Sequence, residues 1–301
     1  MGWLPRPWGD YPDASGFHEA WAELGAKAGA TVGVAGYSVQ GRPIPRYDFG
    51  QGVPVLLTGL MHGVELVGSL ALLEFVRTVL EKQSDVLKHA RLTVVPIVNP
   101  DALQANCERL SQGHRAFKRC NARGVDLNRN FPRLRPDLPR NPLGGSRFPL
   151  SPHYVGRRPL SEPETQALAA VVKETRPRVS VGFHSHGELL LYPWAFTAHP
   201  NPRRAHYERV GRAFVRGLGG ASYRVMQATD WYATVGDLDD WLDAEFGTLA
   251  FTVEVSRPMR FLANMRRASN PFAWQNPVRV GPSVVGLAPG VDALVRESLA
   301  A

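Results

Sequence analysis

The 301-residue sequence predicts a single-domain α/β fold, a mixed but mostly parallel central β-sheet covered by helices on both faces. Three observations carry that expectation. Short apolar runs alternate with longer segments of helical spacing along most of the chain. Hydrophobic residues make up 44% of the sequence, without internal repeats, charge blocks or low-complexity tracts, so one sizeable core can form. The 25 prolines and 29 glycines are scattered, which makes them turn punctuation rather than a linker.

In chain order, residues 1–36 read as an N-terminal extension with a helix, FHEAWAELGAKAG, over 17–29. TVGVAGYSVQ and PIPRYDF flank Gly41-Arg42 as two strands of a hairpin. A buried strand at 53–60, a helix near 65–82 and the strand RLTVVPIV at 91–98 follow, and then a long loop-rich stretch. Ser161 with Glu164 three residues on has the pattern of a capping box, opening a helix over 161–175. Strands are expected at 178–184, 188–194, 223–227 and 249–256, with helices at 202–218 and 236–246 between them. Residues 257–301 read as a C-terminal helical segment of the same domain, 1–301.

Composition excludes several function classes. The net charge is +8, and much of the excess lies in HRAFKRCNARGVDLNRNFPRLRPDLPR, 114–140. Prolines and apolar residues interrupt that run and no nucleic-acid-binding signature accompanies it. No nucleic acid is therefore expected, and attraction of anionic substrates fits the charge at least as well. MGWLPRPWGDYPDASG lacks the apolar stretch of a secretory leader, and no run is long enough to span a bilayer, so a cytoplasmic protein without a membrane partner is expected. Cys107 and Cys120 form no disulfide framework and are expected as free thiols. Nothing in the sequence indicates an oligomeric state.

The chemistry begins in VPVLLTGLMHGVELVGSLALLEF, 53–75, where an apolar strand stops and His62 and Glu65 follow three residues apart. In open α/β sheets functional residues gather at the carboxyl ends of strands. A second histidine ends another apolar run in VSVGFHSHGELLLYP. Two imidazoles and one carboxylate make a three-ligand zinc site with a fourth position open to water. His184 and His186 are rivals for the second imidazole, because residues two apart face the same side of a strand.

These residues resemble those of the zinc metallocarboxypeptidases of the carboxypeptidase A and B type, also called funnelins. The resemblance covers roughly residues 37–256. It rests on GYSVQGRPI, MHGVE, NPDA, RCNARGVDLNRNFP, SEPET, FHSHGELLLYP, YATVGDLDDW and FTVEV in that order. It implies one zinc per chain on His62, Glu65 and His184, the last because the family's ligand is the histidine before the serine. It further implies that Asp126 orients His62. Glu254 of FTVEV matches the general base, which takes a proton from the attacking water and returns it to the leaving amine. Arg119 matches the oxyanion-stabilising arginine, with Lys118 beside it. Asn128 and Arg129 match the pair that grips the substrate's free carboxylate. Tyr232 matches the tyrosine that closes over that terminus, unless it or Trp231 belongs to the core. Asp239, just before the family's Asp240-Trp241 pair, matches the base of the side-chain pocket, where an acid favours Lys or Arg. Alternatively it serves the first turn of the helix 236–246.

Val64 stands where the digestive enzymes carry an arginine, Ala102 replaces the usual glycine, and neither a pro-domain nor a secretion signal is expected. The sequence is in these respects similar to compact bacterial members, including murein peptide amidases that cut the D-glutamate–diaminopimelate bond. The implied function is a zinc metallocarboxypeptidase acting on peptide substrates. A murein amidase acting on peptidoglycan-derived peptides is the alternative within the family. A non-catalytic binding module would need a lost ligand or base, and none is lost.

Overall fold

Alternation along the strands sorts the core into two layers, and that sorting sets the architecture. The computed structural model describes residues 2–82, 84–220, 222–259 and 269–300. Eight strands form one sheet: β1 Thr31–Tyr37, β2 Pro43–Gly50, β3 Val53–Gly59, β4 Ala90–Val95, β5 Val179–Ser185, β6 Leu189–Tyr192, β7 Arg224–Gln227 and β8 Leu249–Val255. Their order across the sheet is β1-β2-β4-β3-β5-β8-β6-β7. The central run β4-β3-β5-β8 is parallel, while β1-β2, β2-β4 and β6-β8 are antiparallel. On β3, Val55 and Leu57 join one apolar layer and Leu56 the other, as the two-residue period of a strand requires. The larger layer includes residues of the helices Ala14–Lys27, Leu66–Glu81, Arg204–Gly217 and Ala288–Leu299, and the smaller one residues of Pro163–Thr175 and Leu238–Phe246. The sheet is thus covered on both faces. Among the described residues no helix is long and apolar enough to cross a membrane.

Strand boundaries agree with the sequence expectation to within a few residues, and the hairpin turns at Gly41, whose φ of +78° suits a residue without Cβ. Other elements depart from it. The first helix begins at Ala14 rather than 17, because the Asp13 carboxylate accepts from the Gly16 N–H at 2.9 Å and caps it early. A boundary at residue 36 falls inside β1, so the expected N-terminal extension contributes an edge strand to the sheet. The helix Pro100–Ser111 lies in the stretch expected to be loop; Asn99 caps it and Pro100 opens it. The capping box at Ser161 does not form. The helix starts at Pro163 after Glu162, and the Glu164 carboxylate accepts instead from Val39 N–H and Asn121 Nδ2, both at 3.0 Å. That acid therefore ties the helix to the β1–β2 turn. Cys107 and Cys120 are both free and buried. Of the C-terminal segment, residues 260–268 lie outside the described residues, and the rest contains short turns before the helix Ala288–Leu299.

The chain order places a switch point in the sheet. From β3 the chain crosses to β4 on one side, and β5 is added on the other side of β3. Crevices at such points, beyond the carboxyl ends of the strands, are where α/β sheets bind ligands.

Candidate active site

His62 follows β3 by three residues, and Glu65 immediately precedes the helix Leu66–Glu81. Gly63 between them has no room for a side chain, since a Cβ there would lie 2.3 Å from that of Ala102. His184 is the sixth residue of β5 and pairs in register with Glu254 of β8. Gly68 lets the helix settle on the end of β5: a Cβ would lie 2.9 Å from the Phe183 carbonyl oxygen.

These elements bring His62, Glu65 and His184 together. Nδ1 of His62 lies 2.9 Å from Glu65 Oε1, Nδ1 of His184 lies 2.9 Å from Glu65 Oε2, and the two Nδ1 atoms are 3.2 Å apart. All three side chains are buried, and among the described residues they form the group whose donor atoms could share one metal ion, lying within 4.8 Å of each other. Two nitrogens and one carboxylate oxygen are a donor set that zinc accepts. His186 is not part of the group; it lines the cavity beside it.

Behind the cluster, Asp126 Oδ1 lies 3.0 Å from His62 Nε2, which directs the Nδ1 lone pair toward Glu65 and His184. Asp126 Oδ2 accepts from Arg119 Nε at 3.0 Å, and Arg119 Nη1 donates to Glu65 Oε1 at 3.2 Å. Burial would raise the pKa of Glu65 and Asp126, yet both lie below the usual carboxylate range. The two imidazoles outweigh burial at Glu65, and Arg119 and His62 outweigh it at Asp126.

Glu254 has the opposite balance. It is 7% exposed, its Oε2 has no hydrogen-bond partner among the described residues, and burial together with the nearby Glu65 pushes its pKa well above the usual carboxylate value. A carboxyl group whose charged form burial disfavours holds a proton readily, and beside a metal position it can take and return one.

These residues open into a cavity of about 310 Å³ that Arg119, Asn128, Arg129, Tyr232 and Asp239 also line, whereas Lys118 does not. Asn128 accepts from the Leu238 N–H at 3.1 Å, which ties its turn to the helix Leu238–Phe246. Arg129 is buried and donates through Nη1 to the Asn128 carbonyl oxygen at 2.7 Å and to Asp237 Oδ1 at 2.8 Å. Neither Trp231 nor Tyr232 is core: Trp231 is 39% exposed and Tyr232 half-buried, their rings meeting edge to face. Asp239 Oδ2 accepts from the Thr252 hydroxyl at 2.7 Å, and burial pushes its pKa up to about 7. It lies in the first turn of its helix and also lines the cavity. Asp240 accepts from the Ala195 and Phe196 N–H groups and so anchors the opposite wall.

Several cavity residues were not singled out from the sequence, among them His153, Gln275 and Asp237. His153 stands beside Asp126, Nδ1 to Oδ2 3.4 Å; Gln275 comes from the C-terminal segment; and Asp237 holds Arg129. Of these three, only Asp237 had a signal that could have found it, an acid two residues before the expected pocket acid in GDLDDW. Val64 is fully buried, so it takes no part in the cavity wall.

Comparison with known proteins gives matches over most of the chain. Residues 21–270 match the Peptidase_M14 family model, described as zinc carboxypeptidase. The chain is 27% identical over 244 residues to carboxypeptidase B of Astacus astacus, covering 75% of this chain and 79% of that protein. It is 28% identical over 270 residues to zinc carboxypeptidase A 1 of Anopheles gambiae, covering 83% of this chain and 61% of that protein. In fold, it is similar to bovine thrombin-activatable fibrinolysis inhibitor, solved in complex with tick carboxypeptidase inhibitor. The TM-score is 0.80 at 18% identity, over 96% of this chain and 98% of the other.

Proposed function

Because the chain belongs to the zinc carboxypeptidase family and is a zinc-dependent hydrolase, we propose that it is a metallocarboxypeptidase that releases a C-terminal residue bearing a free carboxylate. The observation that carries this reading is the register of Glu254 with His184 across β5 and β8. It sets an unpartnered, buried carboxyl oxygen beside the His62–Glu65–His184 group.

In this reading His62 Nδ1, His184 Nδ1 and Glu65 hold one zinc per chain. Zinc bound there supplies Lewis acidity to the scissile carbonyl and to the attacking water. Glu254 takes a proton from the water as its oxygen bonds to the carbonyl carbon. It gives that proton to the departing nitrogen as the C–N bond breaks, and the water's second proton passes from the new carboxyl group to the amine, so the products are a carboxylate and an ammonium. Arg119, already ionised by its contacts with Glu65 and Asp126, faces the negative charge that grows on the carbonyl oxygen. Arg129 and Asn128 grip the terminal carboxylate, and Tyr232 covers it. Asp239 receives the departing side chain and, when ionised, favours a cationic one.

The test is a panel of peptides with free or amidated C-termini, run together with a D-glutamate–diaminopimelate muropeptide. Release of single residues from the free-ended peptides alone supports the reading. Equal cutting of free and amidated peptides contradicts it. Turnover of the muropeptide alone moves the assignment to a cell-wall amidase.

A further inference from the structure

Asp237 performs none of the steps assigned above, yet it occupies the arginine to which the proposed reaction gives the substrate's carboxylate. Its Oδ1 accepts from Arg129 Nη1 at 2.8 Å, and its Oδ2 from the Thr234 hydroxyl at 2.5 Å. Arg129 is 2% exposed and Asp237 8%, so the pair is shielded from solvent. Gly236 enforces the approach. Its φ is +73°, and a Cβ there would lie 2.5 Å from the Arg129 carbonyl oxygen.

What Asp237 leaves undone is as informative. It is the N-cap residue of the helix Leu238–Phe246, with extended backbone, φ −75° and ψ 148°, yet its side chain makes no capping hydrogen bond. An aspartate at that position ordinarily accepts from an N–H of the first turn and is favoured there by the helix dipole. A second resting place for the carboxylate therefore lies one side-chain rotation away. Arg129, for its part, keeps donor capacity: among the described residues Nε has no partner, and Nη2 makes only a 3.3 Å contact with the Leu143 carbonyl oxygen.

We propose that Asp237 is a built-in competitor for the Arg129 clamp: a substrate carboxylate engages the guanidinium by displacing the Asp237 side chain, which turns to cap the helix Leu238–Phe246. The inference rests on the reading of Arg129 as the carboxylate clamp. Nη1 of Arg129 has two N–H groups, one taken by the Asn128 carbonyl oxygen and the other by Asp237, so a substrate carboxylate that engages Nη1 must displace the aspartate. Affinity for a free terminus is then reduced by the fraction of molecules in which Asp237 holds the clamp. Acid relieves the competition. Facing Asp237 are Arg129 and Asp126 on the neighbouring turn, Tyr232 on its own loop, and Asp239 and Asp240 on its helix. Burial outweighs Arg129 and raises the Asp237 pKa, so falling pH protonates this carboxyl before the ligand's own.

The experiment measures N-acetyl-L-leucine binding to the full chain by calorimetry at about pH 7.5 and pH 5.5, where its carboxylate stays ionised and its side chain gives Asp239 no charge to recognise. Asp237→Asn is expected to bind about tenfold tighter than wild type at the higher pH, with a gap no wider at the lower one. With a peptide substrate the same variant should lower KM while kcat changes little. Equal or weaker binding by a variant that melts like wild type overturns the proposal. If Asp237→Asn does not fold, Asp237→Ser takes its place, and equal or weaker binding by that variant overturns the proposal. Binding that is lost in Arg129→Lys without any gain in Asp237→Asn overturns this inference alone. No binding to wild type or to Asp237→Asn overturns the clamp reading and this inference with it.

Discussion

At the strand-end side of the cavity, Glu65 and Asp126 are buried and still held below the usual carboxylate range, whereas beside the helix Leu238–Phe246, burial pushes Asp237, Asp239 and Asp240 above it. Burial acts in the same direction on all five. The difference lies in the cations that face them. His62, His184 and Arg119 converge on Glu65 and Asp126, while at the other end only Asp237 meets an arginine, and Asp239 and Asp240 have a hydroxyl and backbone N–H groups as partners. The strand-end side is thereby suited to holding a metal over a wide pH range, and the helix side to recognition that changes with pH. Glu254 stands between them, placed by β8 on the strand-end side but with a pKa raised like the acids of the helix side.

That intermediate position gives the largest expected effect. Glu254→Gln removes the proton carrier and leaves the His62–Glu65–His184 group intact, so turnover of a good peptide should fall by about 10²–10⁴-fold. Zinc content and melting temperature should change little. Turnover within a few-fold of wild type would place the base elsewhere and dissolve the distinction.

A smaller effect is expected from Asp126→Asn, which removes the charge that orients His62 without removing a donor to the metal. Zinc affinity, measured by competition with a chelator, should fall by about 10–100-fold. Unchanged affinity would mean that the strand-end side does not depend on its buried carboxylates.

On the helix side, Asp239 titrates near pH 7. Its folded pKa is raised, so it is neutral below that pH and ionised above it. kcat/KM for a peptide ending in Lys should fall up to about tenfold per unit as pH drops below 7, relative to one ending in Leu. Asp239→Asn should abolish that relative slope. The sign for stability also follows: a raised carboxyl pKa costs stability as pH climbs from about 4 to about 7, so the same variant should melt higher than wild type at pH 8. A relative slope that survives in Asp239→Asn would return this residue to a role in its helix alone.

The sequence made the two sides unequally legible. Strand ends are marked by local patterns, so β3, β5 and β8 and the residues His62, His184 and Glu254 could be found from apolar runs that stop or carry a charge. Separating His184 from His186 needed the family resemblance, because both face the same side of an extended segment. The helix Pro100–Ser111 escaped although Asn99-Pro100 signals its start, since Leu103, Cys107 and Leu110 make a narrow apolar face among polar residues. At Ser161 the local capping pattern was present but lost to distant partners, Val39 and Asn121, which take the Glu164 carboxylate. The pairing of Asp237 was hidden for the same reason, although its acid neighbours in GDLDDW mark the segment. Its partner Arg129 is 108 residues away, and a contact at that range leaves no mark in local spacing.

That His62, Glu65 and His184 hold a catalytic zinc can be checked by elemental analysis of purified, zinc-loaded and dialysed protein. The prediction is one zinc per chain in wild type, near-complete loss in His184→Ala, and retention in His186→Ala. A wild type that holds no zinc, or equal loss in the two histidine variants, would contradict it.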